Sequence, residues 1–333
     1  MRLSLRSRHV LAGVVSTTLL AVVAVRPELL GGRVRDAVGG LGDAEASWLW
    51  LAAAALAAMQ AASGLAWNSA LGACRGAPGR GQAMARYAVG SAANALAPAH
   101  VGSGLRIALF ARITSGEAAC WRVTGTAAAV SAVRCVWFAA LVVVGAALGA
   151  VPAWPLLLLG AFAIVAALAA VVSRRIRSEA RLAHLLDAFR ELTASPGALA
   201  RVAALTAAGM AAKLAAAACV AASLGVERPV VAALVIVPAV ELAAVLPLTP
   251  GNIGVSSAAV ALALASLGVA PDTALAAGIA FGALETLAAL AAGAAGMLLL
   301  TAPRVRPMVR RAAVGTALGA VSWAIVLTAV PGV

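Results

Sequence analysis

The sequence predicts an all-α membrane protein, a polytopic bundle of helices with no soluble catalytic domain. Two observations carry this. Of the 333 residues 63% are hydrophobic and only 11% charged, with a mean hydropathy of +1.02, whereas a soluble domain is about a quarter charged. Runs of 18 or more apolar residues also recur along the chain, each long enough to cross roughly 30 Å of hydrocarbon as a helix. Backbone groups in lipid must be satisfied internally, so such runs are helical. The alternating pattern of a membrane barrel is missing.

The apolar segments fall near 10–25, 47–72, 87–110, 123–150, 155–173, 202–224, 230–248, 253–270, 273–300 and 312–330. The first follows Arg2, Arg6 and Arg8 and resembles a signal peptide, but no A-x-A site follows it, so an uncleaved helix is expected. The net charge of +13 does not form a basic stripe for nucleic acid. Connections 1–9, 73–86, 111–122, 174–201 and 301–311 hold 18 of the 25 basic residues. Connections 26–46, 151–154, 225–229 and 271–272 hold four, against six acids. This asymmetry predicts a cell-membrane protein with its N-terminus cytoplasmic and its C-terminus outside. The ratio of 24 arginines to one lysine suits a GC-rich bacterial genome.

Segment 87–110 has basic connections on both sides and must return to the face it enters. Its 24 residues are too few for two spans at about 1.5 Å per residue. A re-entrant hairpin is expected, broken at Ala97-Pro98-Ala99-His100-Val101-Gly102-Ser103-Gly104. A second break lies at Pro247-Leu248-Thr249-Pro250-Gly251-Asn252-Ile253-Gly254. The parity of the spans allows 230–270 to be either a second re-entrant hairpin or two full spans. Aligning Pro98 with Pro250, an offset of 152, maps 47–72, 123–150 and 155–173 onto later apolar runs of opposite direction. The expected organisation is one integral membrane domain over 1–333. It comprises an extra helix at 10–25, a first repeat at 47–173, a cytoplasmic amphipathic connector at 174–201 and an inverted second repeat at 202–330. In the connector Leu182, Leu185, Leu186, Phe189 and Leu192 share one helical face.

Charge is expensive within a bilayer, so intramembrane ionisable residues are functional candidates by default. There are five: Arg106, Arg134, Lys213, Glu241 and Glu285. Arg106 follows the first break, where a guanidinium beside glycine-opened backbone suits a phosphate; the plainer role is snorkelling to the interface. Arg134 maps beside Glu285 under the 152 offset, which allows either an ion pair across the pseudo-twofold axis or a free anion ligand. Lys213 and Glu241 both precede the second break and suit a pair or a proton relay. His100 is placed at the hairpin tip as a hydrogen-bonding group, with a pH switch as the sharper alternative. Asn94 and Asn252 are expected to satisfy backbone groups freed at the breaks. The G-x-x-x-G pairs Gly145/Gly149, Gly278/Gly282 and Gly315/Gly319 read as packing contacts within the chain.

The four cysteines, Cys74, Cys120, Cys135 and Cys219, have no C-x-x-C spacing and predict neither a disulfide framework nor a metal site. No P-loop, H-E-x-x-H or G-x-S-x-G occurs, so neither a catalytic residue nor a cofactor is expected.

Two motifs carry a family resemblance. The first is Asn94-Ala95-Leu96-Ala97-Pro98 with Gly102 and Arg106; the second runs from Leu246 and Pro247 through Pro250, Gly251, Asn252 and Gly254 to Ser257. With Arg134 in the helix after the first motif, the chain resembles the transmembrane region of lysylphosphatidylglycerol synthases, the flippase-like membrane family, over about 47–300. It departs from that pattern at Asn252, where a glycine is usual, at Ser257, where a glutamate is usual, and at Glu285, in a region where an arginine is common. The resemblance implies a flippase-like transporter that moves or handles an anionic phospholipid or a polyprenyl-phosphate-linked lipid, without the aminoacyl-transfer domain. The residues expected to meet the headgroup are Arg106, Arg134, His100, Asn94, Gly102, Asn252, Gly251 and Gly254. The alternative is a non-transporting membrane partner of a separately encoded lipid-modifying or cell-envelope enzyme.

Overall fold

The computed structural model describes residues 44–73, 78–97, 101–114, 119–150, 187, 189–244 and 253–301. Outside them lie the expected helices at 10–25, 155–173 and 312–330, most of the connector, and His100, Gly251 and Asn252. Among the described residues the elements are all helical: α1 (Ala46–Ala73), α2 (Arg80–Leu96), α3 (Val101–Ala111), α4 (Ala119–Ala147), α5 (Pro196–Ser223), α6 (Pro229–Ala243), α7 (Ile253–Ala265) and α8 (Pro271–Thr301). The chain is an all-α, multi-pass membrane protein. Helices α1, α4, α5 and α8 are long and apolar enough to cross a bilayer.

The helices extend beyond the apolar runs that announce them. Helix α2 begins at Arg80, seven residues before the apolar stretch, and α4 begins at Ala119. Hydropathy marks where a chain meets lipid, whereas helical hydrogen bonding continues into the polar flank. Helix α5 starts with Pro196 in its first turn, where a missing N–H costs nothing. Before it, residues 189–194 are helical, with Leu192 buried and Phe189 packed against the same cluster.

Helices α1 and α5 form the central antiparallel pair. The Glu45 N–H just before α1 donates to the Ser223 carbonyl at the end of α5, 3.0 Å away. At mid-length Gly209 faces Met59, Ala62 and Ser63. Two apolar cores lie along this pair. One joins the first half of α1 to α5, α6, α7 and α8 around Leu56, Ile236, Leu264 and Phe281. The other joins the end of α1 to α2, α3, α4 and the start of α5 around Trp67, Phe110 and Val123.

Two pairs of short helices sit against this frame. Helices α2 and α3, of 17 and 11 residues, pack on each other, and so do α6 and α7, of 15 and 13 residues. All four fall short of the ~20 residues a single span needs. The close crossing of α2 and α3 requires Gly102: a Cβ there would strike the Gly90 carbonyl oxygen and the Asn94 backbone nitrogen. Helix α8 binds both pairs. A Cβ on Gly278 would lie 2.6 Å from the Ser257 carbonyl oxygen, one on Gly293 would strike the Ala92 side chain, and one on Gly296 would lie 2.6 Å from the Ala85 carbonyl oxygen.

Candidate functional site

A cavity of about 510 Å3 lies where the helices converge, and all eight contribute to its wall. Its lining is polar: Gln60 and Ser63 from α1, Tyr87, Ser91 and Asn94 from α2, Ser103 and Arg106 from α3, and Ser131 and Arg134 from α4. The second half adds Lys213 from α5, Glu241 from α6, Ser256 from α7, and Glu285 and Thr286 from α8. All five intramembrane charges picked out from the sequence therefore meet in one place.

Four of them form a chain of ion pairs. Lys213 is buried, and its Nζ donates to Glu241 Oε1 at 2.9 Å and to Glu285 Oε1 at 2.8 Å. Arg134 Nη2 donates to the same Glu241 oxygen at 2.6 Å. The lysine–glutamate pair agrees with the expectation from sequence. The pairing of Arg134 with Glu285 does not. Helix α6 packs against both α4 and α5, so Glu241 stands within reach of both cations, while Glu285 on α8 pairs, among the described residues, with Lys213.

Arg106 is different. Its guanidinium lies 4.0 Å from the centre of the Tyr87 ring and 5.7 Å from that of Trp67, a cation–π arrangement that strengthens as water is removed. Nη2 donates to Ser91 Oγ at 3.1 Å, and Nε is buried without a partner. No described carboxylate forms an ion pair with it. The side chain is folded in against α1 and α2 and does not snorkel. Gly90 makes this position possible, because a Cβ there would stand 2.8 Å from Arg106 Cβ and 3.0 Å from Nε.

Asn94 serves the backbone, as expected. Its Oδ1 accepts the Ser103 N–H at 3.1 Å and its Nδ2 donates to Ser103 Oγ at 3.3 Å. That satisfies one of the orphan donors in the first turn of α3 from across the hairpin. Gly102 is a packing residue at the crossing. Gly254 is exposed, a Cβ on it would meet nothing within 4 Å, and it does not line the cavity. Ser257, standing where the resemblance leads one to expect glutamate, is buried against Gly278 with its hydroxyl unpaired; the neighbouring Ser256 reaches the cavity wall.

Sequence reasoning missed Tyr87, Ser91, Gln60, Ser63 and Thr286 in the lining, and Gly90, Gly293 and Gly296 in the packing. Tyr87 is the one tyrosine in the chain and precedes Ser91 and Asn94 on one helical face. That was the available signal.

The lysylphosphatidylglycerol synthase TM region matches this chain over residues 10–293. The chain belongs to that family. The match covers every described helix up to the last turns of α8. No curated protein is similar enough to the chain to count as a match.

Proposed function

We propose that the chain is a flippase-like membrane transporter that takes the phosphate of an anionic phospholipid or polyprenyl-phosphate-linked lipid into the central cavity and passes it between leaflets. One observation carries this reading: Arg106 is a cation without an acidic partner among the described residues, held at the wall of a polar cavity inside an apolar bundle. An uncompensated charge in such a place is costly, and a lipid phosphate would supply the missing anion through charge-assisted hydrogen bonds. The rings of Tyr87 and Trp67 hold the guanidinium in place, so little ordering is left for the ligand to do. The acyl or prenyl tail would stay in the bilayer.

Alternating access would come from movement of one half of the bundle against the other. The bounds of the helices support an inverted repeat. Shifted by 152, α1 falls at 198–225 beside Pro196–Ser223, α3 at 253–263 beside Ile253–Ala265, and α4 at 271–299 beside Pro271–Thr301. The short paired helices α2/α3 and α6/α7 fit re-entrant hairpins that meet near the midplane. The basic connections fit a cytoplasmic N-terminus in a cell membrane.

The test is lipid translocation by the full chain reconstituted in liposomes, with a fluorescent headgroup-labelled phospholipid and an impermeant quencher. Wild-type protein should speed translocation over empty liposomes, and Arg106→Gln should abolish the gain while keeping the thermal stability of the fold. Equal rates in the two proteins would remove Arg106 from the function. No gain in either would favour a membrane partner of a lipid-modifying enzyme.

A further inference from the structure

We infer that Glu241 sets the charge of the phosphate the cavity accepts, by occupying Arg134 and leaving Arg106 as the one guanidinium of the described cavity wall without an acid. This rests on the proposed anion site and adds the residue that determines its selectivity.

Among the described residues the cavity wall carries three cations, Arg106, Arg134 and Lys213, and two carboxylates, Glu241 and Glu285. It is therefore in excess by one positive charge. That excess is localised: Lys213 is held by two acids and Arg134 by Glu241, whereas Arg106 has only a hydroxyl and two ring faces. A phosphodiester carries a single negative charge and would bring the site to neutrality. A phosphate monoester carries about 1.5 to 2 at pH 7, and a diphosphate carries more. Each surplus charge would be left uncompensated in a low-dielectric interior, where an unpaired ion is costly. The wall as built favours one phosphate group over two.

Glu241 is the residue that holds the count at one. A single oxygen, Oε1, accepts from both Arg134 and Lys213. Loss of its charge leaves Lys213 paired with Glu285 but releases Arg134, whose side chain is 45% accessible and lines the same cavity. Two guanidinium groups would then face one ligand, the arrangement a diphosphate requires. Loss of Glu285 raises the charge excess in the same way but frees no guanidinium, because Arg134 and Lys213 both keep Glu241; the count that Glu241 holds at one is that of guanidinium groups without an acid in the described wall.

The test is native mass spectrometry of the purified full chain with an equimolar mixture of dioleoyl phosphatidylglycerol, a polyprenyl monophosphate and a polyprenyl diphosphate of the same chain length. Wild-type protein should retain the single-phosphate lipids over the diphosphate by about tenfold, the factor expected for one charge-assisted hydrogen bond. By the same count phosphatidylglycerol should be retained over the polyprenyl monophosphate, and the reverse order would point to recognition of the prenyl chain. Glu241→Gln should erase or invert that preference, Glu285→Gln should keep it, and Arg134→Gln/Glu241→Gln should restore it. Arg134→Gln alone, which leaves Glu241 its bond to Lys213, should lower diphosphate retention further and serves if Glu241→Gln does not fold. Higher diphosphate retention by Arg134→Gln, or an unchanged ratio in folded Glu241→Gln, would overturn the role of Glu241. Arg106→Gln separates the two claims. If it retains lipid as wild type does, the anion site itself fails; if it loses lipid while Glu241→Gln keeps the wild-type ratio, only the selectivity assignment fails.

Discussion

Helix α8 meets the α2/α3 pair through Gly293 and Gly296 and the α6/α7 pair through Gly278. Helix α4, which lies 152 residues earlier, carries Leu141, Val144 and Thr126 at the matching positions. At these three positions α8 lies close against its neighbours, whereas α4 presents a side chain. Val144 is exposed on α4, together with Val136, Val143 and Leu148. Helix α4 meets the second half through buried apolar side chains, Leu141 and Val142 clustering with residues of α5 and α6, and through two polar bonds: the Trp137 indole N–H donates to the Ala203 carbonyl at 3.0 Å, and Arg134 donates to Glu241 at 2.6 Å. In lipid, association rests on close packing and interhelical hydrogen bonds, because the tails are as apolar as the side chains. Helix α8 is therefore held by close approach at its glycines, and α4 by apolar side chains together with two interhelical bonds.

Chemistry is divided just as unevenly. Arg106, Tyr87, Ser91 and Asn94 of the first half correspond to Ala258, Ala239, Ala243 and Leu246 in the second. Lys213, Glu241 and Glu285 correspond to Ala61, Val89 and Val133 in the first. The first half supplies the free cation, and the second supplies the acids. Of the described ion pairs within the cavity, Arg134–Glu241 joins the halves, while the two made by Lys213 lie inside the second.

This contrast is broken most severely at Lys213. Lys213→Met would leave Glu241 with Arg134 and Glu285 with no cation, a cost of roughly 3–5 kcal/mol for breaking a buried pair. A large fall in thermal stability in detergent is expected, and a fall smaller than that of Arg134→Gln would contradict the burial of Lys213. Next comes Gly296→Leu, which forces side-chain atoms against the Ala85 backbone and should cost about 1–3 kcal/mol or more. Its counterpart Val144→Leu should stay within about 0.5 kcal/mol; equal melting shifts for the two would show that α4 packs as tightly as α8. Asn94→Ala removes the bond to the Ser103 N–H and should cost about 1 kcal/mol, read as faster hydrogen exchange confined to the start of α3. Arg106→Gln should have the smallest effect on melting, since no ion pair is lost, while abolishing lipid retention.

Much of the site was legible in the chain because charge in an apolar run is conspicuous. Arg106, Arg134, Lys213, Glu241 and Glu285 stand out against their neighbours, and all five line the cavity. Tyr87, Ser63 and Ser91 do not stand out, since tyrosine and serine are ordinary in membrane helices and only direction makes them part of a wall. Gly254 illustrates the opposite error. It shares a motif position with Gly102, yet one glycine is crossed by a helix and the other faces open space.

The sequence alone determined that the chain is helical and membrane-embedded, where most of its helices lie, and which charges must be sheltered. Those follow from the cost of exposing backbone and charge to hydrocarbon, which acts on every residue wherever it ends up. Which acid each cation receives was decided only by the tertiary structure. Pairing depends on distances of about 3 Å between helices far apart in sequence, and the packing of α6 against both α4 and α5 gave Glu241 to both Arg134 and Lys213 and left Arg106 without an acid among the described residues.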